Sequence, residues 1–356
     1  MKSHTIIFLV IGVITLKVKT AESVERVSLS NELWTGAVAW VGTPDSVVLK
    51  RSWGWMDKAR EFPIHENAIF DLASVTKAVG TTTAVALCMD RGLIDSDTVF
   101  TNYLPAFKGA LTGPITVRDL ARHISGFDNS KPYDIEGKVK QRILNISPVR
   151  PAGTAYDYSC ANFILLGLAV EEVTGGNLAD FCRENVFGPL KMEHTFWMSV
   201  PDPDPRNVVR QAICGTLGVP SDGAARQAGA PIGNAGMFAT AGDLSVFCRM
   251  ILSDGMIGKE RVLSEKVIRL LKTCPDNRSP VAFGWRVSPQ FNPPLLSSAT
   301  MSHTGWSGNS VWIDPLQKQY VIILTNRIGD HTAADKARIQ LAQDLLCEIN
   351  QEQRGL

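Results

Sequence analysis

A serine and a lysine stand three residues apart in the segment Ser-Val-Thr-Lys at residues 74–77, at the start of a long apolar stretch. Residues at this spacing on a helix lie on one face, so the amine of Lys77 can reach the hydroxyl of Ser74. A serine nucleophile needs such a neighbouring base where no histidine lies beside it. Asp71 is a candidate helix cap, which would leave Ser74 in the first turn, where free backbone N–H groups can hold an oxyanion. The pair therefore predicts a serine nucleophile; the alternative is a capping serine and a surface lysine.

Two further groups occur later in the chain, where such a site would need them. Tyr158 precedes an apolar helical run, and its hydroxyl could share the proton of the serine. His303, Thr304 and Gly305 lead into a strand-like segment. Gly305 lets the backbone approach a ligand closely, and Trp306 after it can offer its N–H to an oxyanion.

The three motifs, Ser-x-x-Lys at 74–77, Tyr-Ser-Cys at 158–160 and His-Thr-Gly at 303–305, resemble those of the β-lactamase-related serine hydrolases. This group includes class C β-lactamases, D-alanyl-D-alanine carboxypeptidases and carboxylesterases. Three more stretches resemble family segments in the same order, ITVRDLARHISG at 115–126, PAGT at 151–154 and GMFATAGDL at 236–244. The resemblance covers about residues 30–348, nearly the whole chain after its leader.

The resemblance implies a role for each motif residue. Ser74 would be the nucleophile, Lys77 and Tyr158 the groups that take its proton, and N–H groups of Ser74 and Trp306 the oxyanion hole. The substrate would lie against Cys160 and the residues of the His-Thr-Gly segment, which are His303, Thr304, Gly305 and Trp306.

Cys160 departs from the family pattern, which has an asparagine at this place. In β-lactamases and carboxypeptidases that asparagine holds the amide of the substrate and helps to orient the lysine. A thiol is a weak donor and a weak acceptor, so Cys160 cannot copy both roles. Asn162 could substitute only if the local turn differs. His303 also lacks the fixed charge of a lysine at neutral pH. Both departures favour an esterase over a β-lactamase.

These residues predict a serine hydrolase that acts through an acyl-enzyme on amide or ester bonds of small substrates. One alternative is a true β-lactamase or D-alanyl-D-alanine carboxypeptidase. The other is a non-enzymatic binding protein that retains the fold. The presence of all three residues, Ser74, Lys77 and Tyr158, argues against this alternative. The expected partner is a small ester, an amide or a cell-wall-type peptide, with no obligate protein partner.

The composition excludes several other classes. The 356 residues carry 36 basic and 35 acidic side chains, a net charge of +1, without a basic run, so no nucleic-acid surface is expected. Neither a phosphate-binding loop nor a dinucleotide fingerprint occurs, so no cofactor is predicted. No metal site is predicted either, because the seven cysteines lack metal-ligand spacing. They are Cys88, Cys160, Cys182, Cys214, Cys248, Cys274 and Cys347.

The N-terminus reads as a leader. Eleven mostly apolar residues at 6–16 follow Lys2, a run too short to span a bilayer comfortably and typical of a signal peptide. We therefore predict a signal peptide at residues 1–21 and export to the periplasm or the medium, with an uncleaved membrane anchor as the alternative.

Strand patterns at both ends of the chain enclose a mainly helical middle. Strands are predicted at 36–41 and 46–55, and again at 283–287, 310–313 and 320–324, with helices at 74–91, 244–252, 262–271 and 333–349. This order predicts an α+β fold of the β-lactamase/transpeptidase type, in which both ends form one antiparallel sheet flanked by helices. Residues 22–350 would form one catalytic domain with a helical lobe inserted at about 95–235.

Overall fold

The structure, a computed structural model, describes residues 33–211 and 215–353. The predicted signal peptide at residues 1–21 lies outside this part of the chain. No helix within the described residues is long and apolar enough to cross a membrane.

The main sheet has five strands, and every neighbouring pair in it is antiparallel. Its strand order is β2-β1-β10-β9-β8. The strands are β1 (Trp34–Gly42), β2 (Val47–Gly54), β8 (Met301–Gly305), β9 (Asn309–Asp314) and β10 (Gln319–Arg327). The first and last strands of the chain pair directly, with Ala39 opposite Ile323. The predicted sheet formed by both chain ends is confirmed.

Both faces of this sheet are buried, which explains the unbroken β-branched run of β10. Side chains alternate across a strand, so Ile322 and Leu324 join the large core while Val321 and Ile323 face the opposite side. There they pack against the C-terminal helix, including Leu345. The strand therefore reads as continuously apolar because it has a hydrophobic layer on each side.

Two small sheets complete the β structure. One has the order β3-β5-β4, and the other is the hairpin β6-β7. Their strands are β3 (Phe70–Asp71), β4 (Phe196–Trp197), β5 (Met237–Ala239), β6 (Met256–Ile257) and β7 (Glu260–Arg261). The first of these sheets matters for the site because β3 leads directly into the segment that holds Ser74.

Nine α-helices are described. They are α1 (Thr83–Asp90), α2 (Val117–Ala121), α3 (Val139–Ile143), α4 (Cys160–Thr174), α5 (Leu178–Cys182), α6 (Gly223–Ala228), α7 (Ala241–Leu252), α8 (Glu265–Lys272) and α9 (His331–Gln353). A π-helical segment, Lys77–Thr82, runs into α1, and a second one, Arg183–Phe187, follows α5. Short 3₁₀ turns occupy Phe100–Asn102 and Pro289–Phe291.

The predicted helix at 74–91 is present but starts differently from expectation. Its first part, Lys77–Thr82, is π-helical and wholly buried, a form often found at functional sites. Asp71 is not its cap, because Asp71 belongs to β3 and its carboxylate accepts the N–H groups of Ala73 and Ser221. The predicted cap was therefore wrong: a buried carboxylate binds the turn before the helix instead.

The strand expected at residues 283–287 is also absent. Only isolated bridges form there, and the backbone of Arg286 exchanges two hydrogen bonds with Ser302, of 3.0 and 2.8 Å. Gly284 has a φ of +72° and lies against Thr82, where a Cβ atom would meet the threonine hydroxyl at 1.8 Å. The backbone turns here to pass the helix that contains Thr82 closely, so an extended strand cannot continue.

Candidate active site

Ser74 lies at the end of a tight turn that begins in β3. Two backbone hydrogen bonds hold this turn: Val75 N donates to Leu72 O at 3.0 Å, and Lys77 N donates to Ser74 O at 3.0 Å. Ala73, just before the serine, has a φ of +44°, a left-handed conformation that costs about 1–2 kcal/mol for a residue with a Cβ. Strain of this kind is characteristic of functional turns, and here it directs the next residue, Ser74, toward the lysine.

Lys77 is fully buried, and its amine makes two hydrogen bonds. Nζ donates to Ser74 Oγ at 2.9 Å and to the backbone carbonyl of Asn234 at 2.8 Å. Burial lowers the pKa of Lys77, but the neighbouring Cys160 and Tyr158, with a smaller effect from Asp222, raise that pKa above its ordinary value. The structure thus brings Ser74 and Lys77 together within hydrogen-bonding distance.

Tyr158 lies over the same amine. The Lys77 Nζ is 5.2 Å from the centroid of its ring. On its other side the Tyr158 ring packs against His123, with 4.5 Å between ring centroids. The Nδ1 atom of His123 accepts the backbone N–H of Ser159 and the side-chain amide of Asn162, each at 3.1 Å. This histidine therefore fixes the position of the tyrosine, a role that the sequence reasoning missed.

His123 is buried and neutral. Burial and the positive charges of Lys77 and Arg286 lower its pKa well below the usual value. Because Nδ1 accepts hydrogen bonds, we assign the proton to Nε2. The residue has a φ of +56°, so its backbone is also held in a rare conformation. Its place within the stretch at 115–126 was the available sequence signal.

Cys160 begins α4 and is buried near the amine of Lys77. Its backbone N–H donates to the side-chain oxygen of Asn129 at 3.2 Å. Asn162 does not take the place of the family asparagine. Its amide bonds to Ser125 (2.6 Å) and to His123, inside the protein. The second contact of the lysine is instead the carbonyl of Asn234, a residue that sequence reasoning did not single out.

The His-Thr-Gly segment forms the end of β8, an edge strand whose Gly305 lies against the turn before Ser74. A Cβ atom on Gly305 would lie 2.4 Å from Leu72 O and 3.5 Å from the Cβ of Ala73, so only glycine lets the strand approach the serine turn this closely. His303 is buried, and its Nδ1 contacts the carbonyl of Thr304 at 2.9 Å. Burial, followed by the charges of Arg286 and Lys77, lowers the pKa of His303 well below its usual value.

Trp306 follows β8 and is about half exposed, at 53%. Its ring stacks on His331, with centroids 4.7 Å apart, and contacts the guanidinium of Arg327 at 4.4 Å. Arg327 Nε also donates to the carbonyl of Trp306 at 2.6 Å. Within the described residues, neither Ser74 N nor Trp306 N donates a hydrogen bond to protein. Both are therefore free to bind an oxyanion.

Arg286 supplies a positive charge that the sequence reasoning missed. Its Nη2 donates to Thr304 Oγ1 at 3.0 Å, and the guanidinium packs on the ring of Phe291 at 4.9 Å. The residue is partly exposed. It reaches the motif because its backbone pairs with Ser302, which directly precedes His303, while Arg286 itself lies in no motif. No local sequence signal could have identified it.

No group of three or more histidine, cysteine, aspartate or glutamate residues in the described part of the chain could hold a metal ion. The chemistry offered by the site is that of its side chains and backbone N–H groups. A hydroxyl, a buried ammonium, a phenol and two free N–H donors therefore meet where the turn at Ser74 lies against the end of β8.

Solved structures share this fold. The hydrolase EstCE1, described as having promiscuous acyltransferase activity, aligns with a TM-score of 0.76 and 21% identity, over 92% of this chain and 98% of its own. A penicillin-binding protein homologue from Caulobacter crescentus aligns with a TM-score of 0.75 and 19% identity, over 93% and 97% of the two chains.

Sequence relatives agree with these structures. A protein of Escherichia coli (strain K12), provisionally named D-alanyl-D-alanine carboxypeptidase, is 25% identical over 87% of this chain and 84% of its own length. The family model described as Beta-lactamase matches residues 29–345. The match covers nearly the whole chain and includes all three motifs, so this chain belongs to the β-lactamase family.

Proposed function

We propose that this chain is a serine hydrolase that forms an acyl-enzyme on Ser74 and acts on ester or amide bonds of small substrates. The hydrogen bond of 2.9 Å from the buried Lys77 Nζ to Ser74 Oγ carries the proposal. Burying an ammonium is unfavourable unless it is hydrogen-bonded. A backbone carbonyl alone would meet that requirement, so burial does not explain why the lysine also bonds to a serine. The names of a hydrolase and a carboxypeptidase among the similar proteins support the same class of reaction.

In the acylation step, Ser74 Oγ forms a bond to the carbonyl carbon of the substrate while its proton passes to the Lys77–Tyr158 pair. We treat the pair as one titrating unit, since a proton shared by two coupled groups belongs to both. The carbonyl oxygen becomes an oxyanion that accepts the N–H groups of Ser74 and Trp306. When the tetrahedral intermediate collapses, the leaving alkoxide or amine takes the proton from the pair.

Deacylation repeats these steps with water. Tyr158 removes a proton from the water as the oxygen attacks the acyl carbon, and the same two N–H groups hold the second oxyanion. Collapse returns the proton to Ser74 Oγ and releases the carboxylic acid. The Lys77 amine, which donates to Ser74 Oγ at 2.9 Å, stabilises the negative charge that develops on this oxygen.

The nucleophile can be tested by covalent labelling. A fluorophosphonate probe should label the wild-type protein on Ser74, as mapped by mass spectrometry, and the same protein should hydrolyse p-nitrophenyl acetate. Ser74→Ala should abolish both. Ser298→Ala, at an exposed serine, is the matched control and should retain both. Labelling at full stoichiometry on another serine would contradict the mechanism, and an unlabelled, inactive protein would favour the non-enzymatic alternative.

The base can be tested separately. Tyr158→Phe keeps the ring that packs on His123 and removes only the hydroxyl. General acid–base catalysis contributes about 100- to 10,000-fold, so kcat on p-nitrophenyl acetate should fall by that order. Tyr103→Phe, at the end of a 3₁₀ turn, serves as the matched control. Turnover of Tyr158→Phe near that of wild type would assign the residue to packing alone.

Arg286 favours a second, narrower candidate, a carboxypeptidase. The sequence favoured esters because Cys160 replaces the family asparagine and His303 carries no fixed charge, and the lowered pKa of His303 agrees with a neutral ring. Arg286, however, lies at Thr304 with most of its N–H groups unused by the described residues. A guanidinium binds a carboxylate with matched geometry, so a peptide with a free C-terminus would suit this end of the site. Release of D-alanine from N-acetyl-D-alanyl-D-alanine faster than hydrolysis of simple esters would select this candidate.

Export remains a proposal based on residues 1–21. If the segment is a signal peptide, the mature protein recovered after secretion should begin near residue 22. Recovery of the full-length chain in the membrane fraction would favour the uncleaved anchor instead.

A further inference from the structure

The loop between β8 and β9 carries one of the two proposed oxyanion donors. It consists of Trp306, Ser307 and Gly308 and is called the oxyanion loop below. In the described part of the chain the N–H of Trp306 donates to no protein atom, so its position depends on what holds the other atoms of this loop. Such a donor stabilises the transition state most when it is already in place before the reaction. The contacts of the oxyanion loop therefore bear directly on catalysis.

Arg327, at the end of β10, binds the first two residues of the oxyanion loop. Its Nε donates to the carbonyl of Trp306 at 2.6 Å, and its backbone N–H donates to the carbonyl of Ser307 at 2.9 Å. The guanidinium also lies over the indole ring of Trp306, 4.4 Å from the ring centroid, which is a favourable cation–π distance. One guanidinium thus holds both the carbonyl and the ring of Trp306 and leaves only its N–H free.

Arg327 is itself firmly held by the main sheet. It is only 7% exposed, and its Nη1 donates to the carbonyl of Gly329 at 2.7 Å. The next residue, Ile328, donates its backbone N–H to Leu33 O at 2.7 Å, so the chain after Arg327 is bonded to the start of β1. The planar guanidinium presents its donors in a fixed fork and loses little freedom when it binds two carbonyls. The support of the oxyanion loop is therefore rigid.

The rest of the oxyanion loop lies on the same strand. Thr325 Oγ1 donates to the carbonyl of Gly308 at 2.6 Å. Gly308 has a φ of +110°, and a Cβ atom there would lie 2.3 Å from Thr325 Oγ1 and 2.9 Å from the Cβ of Arg327, so only glycine permits this approach. His331, the first residue of α9, stacks on the Trp306 ring with 4.7 Å between centroids. The whole loop is packed on β10 and the start of α9.

On its other side the oxyanion loop is bonded to the segment that leads to Ser74. The hydroxyl of Ser307 donates to the carbonyl of Asp71 at 2.6 Å. The loop thus has one support on the side of the serine turn and another on the side of β10. Removing the side chain of Arg327 would release the carbonyl and the ring of Trp306 while the first support remains. The N–H of Trp306 would then change its position relative to Ser74.

We infer that Arg327 is a positioning residue for the hydrolytic reaction, because it fixes the oxyanion loop with the N–H of Trp306 directed at the oxyanion that forms at Ser74. Arg327 acts through Trp306 and not by touching the reacting atoms. This inference deepens the proposed function and rests on it, since it assigns the support of one of the two oxyanion donors. A merely structural arginine would change the amount of folded enzyme, whereas a positioning residue changes the rate of each folded molecule.

Arg327→Met tests this role, because it keeps an unbranched side chain and removes the N–H donors and the charge. Rates are expressed per active site, counted by complete labelling with a fluorophosphonate, so that unfolded protein does not contribute. The kcat/KM on p-nitrophenyl acetate should fall about 10- to 100-fold, less than the roughly 100- to 1000-fold for a lost oxyanion donor, because the N–H is displaced and not removed. The inhibition constant of phenylboronic acid, which forms a tetrahedral anionic adduct with the serine, should rise by a similar factor.

Arg249→Met is the matched control. The guanidinium of Arg249 also donates to two backbone carbonyls, those of Pro44 at 2.8 Å and Asp45 at 3.1 Å. These lie in the turn after β1, whereas Arg327 pairs with the first residue of that strand. Arg249→Met should leave kcat/KM and the phenylboronate constant per active site unchanged. Arg327→Lys keeps a charged donor for the Trp306 carbonyl but lacks the planar fork, so its loss should be smaller than that of Arg327→Met.

Hydrogen exchange of residues 305–309, followed by mass spectrometry, measures the support of the loop without any substrate. The N–H of Gly308, which donates to Gly305 O at 2.9 Å, should exchange faster in Arg327→Met than in the wild type or in Arg249→Met. If no ester is hydrolysed, the proposed function fails, and exchange alone decides on Arg327: faster exchange supports its role, and unchanged exchange overturns it.

Two results would overturn the inference while the hydrolase stands. One is a kcat/KM of Arg327→Met within threefold of the wild-type value per active site. The other is a fall in kcat/KM with an unchanged phenylboronate constant, because a tetrahedral adduct needs the same N–H donors as the reaction.

Discussion

At the end of β8, His303 supports the strand and Arg286 supplies positive charge. A single lysine could perform both roles. His303 is buried, and its ring contacts the carbonyl of Thr304, so it supports the strand without carrying charge. Arg286 approaches the same threonine from a neighbouring turn and brings the positive charge. Because the guanidinium is partly exposed, its charge can meet a substrate without the desolvation that a buried cation would require.

Arg286→Gln should therefore discriminate between substrates. The kcat/KM for release of D-alanine from N-acetyl-D-alanyl-D-alanine should fall about 10- to 100-fold, the range for hydrogen bonds to charged groups. Hydrolysis of p-nitrophenyl acetate, which has no carboxylate, should change little. Arg269→Gln, on the exposed side of α8, is the control. Equal losses on both substrates would mean that Arg286 supports the structure of the site and does not bind a carboxylate.

The residues of the site differ in how far the sequence predicts them. Ser74 and Lys77 are recognisable because one helical turn joins them, and that local spacing survives in the structure. Arg286 and Asn234 reach the site through contacts with residues distant in the chain: Arg286 pairs with the backbone of Ser302, and the carbonyl of Asn234 accepts the Lys77 amine. Contacts of that kind leave no local pattern. His123 lay within a recognisable stretch, but only the fold shows its ring beneath Tyr158.

Among the structural elements, the turn between β3 and the catalytic helix depends most on exact packing. The carbonyl of Asp71 accepts the Ser307 hydroxyl and the Asn309 amide, each at 2.6 Å, so the loop after β8 is bonded to β3. The carboxylate of Asp71 meanwhile holds the N–H of Ala73. One residue thus binds the loop that carries one proposed oxyanion donor and the turn that carries the other. The sequence predicted a helix cap at Asp71. A strand of only two residues leaves no sequence pattern, so the place of Asp71 in β3 could not be predicted.

Gly305→Ala should separate catalysis from folding at this junction. The new Cβ would meet Leu72 O at 2.4 Å, so β8 must move away from the serine turn and take the N–H of Trp306 with it. Loss of one oxyanion donor costs about 100- to 1000-fold, and kcat on p-nitrophenyl acetate should fall by that order. Gly113→Ala, where a Cβ would meet nothing within 4 Å, is the control. A folded Gly305→Ala protein, as judged by circular dichroism, with kcat within threefold of wild type would remove Trp306 from the oxyanion hole.

At the scale of the whole molecule, the core buries several titratable groups of the site, although Tyr158 and Arg286 are partly exposed. The sheet formed by both chain ends was predictable, because strongly apolar segments at the two ends can be buried only against each other and the helices. The burial of polar groups was not predictable from the sequence. His123, His303 and Asp71 are each at most 2% exposed. Hydrophobic patterning predicts which apolar side chains are buried, but it does not identify the polar side chains that are buried among them.

This burial predicts that stability falls as the pH is lowered from 7.5 to 5. Burial, with help from nearby cations, lowers the pKa of His123 and His303 far below their usual value. The unfolded chain takes up protons at these histidines near pH 6.5, whereas the folded protein does not. The contribution of these two neutral histidines to the free energy of unfolding is therefore fully present above about pH 6.5 and is lost as the pH falls below that value. Asp71 acts in the opposite sense, because burial raises its pKa and the folded protein takes up this proton at a higher pH than the unfolded chain does.

Urea denaturation at a series of pH values would measure the free energy of unfolding across this range. His123→Gln should be less stable than wild type at pH 7.5, because it loses the packing on Tyr158, yet its stability should depend less steeply on pH. His194→Gln, at an exposed histidine, should keep the wild-type slope. A free energy of unfolding that stays constant from pH 7.5 to 5 in the wild type would show that these two rings become protonated without unfolding the core. The same result would remove the argument for a neutral His303 in the active site.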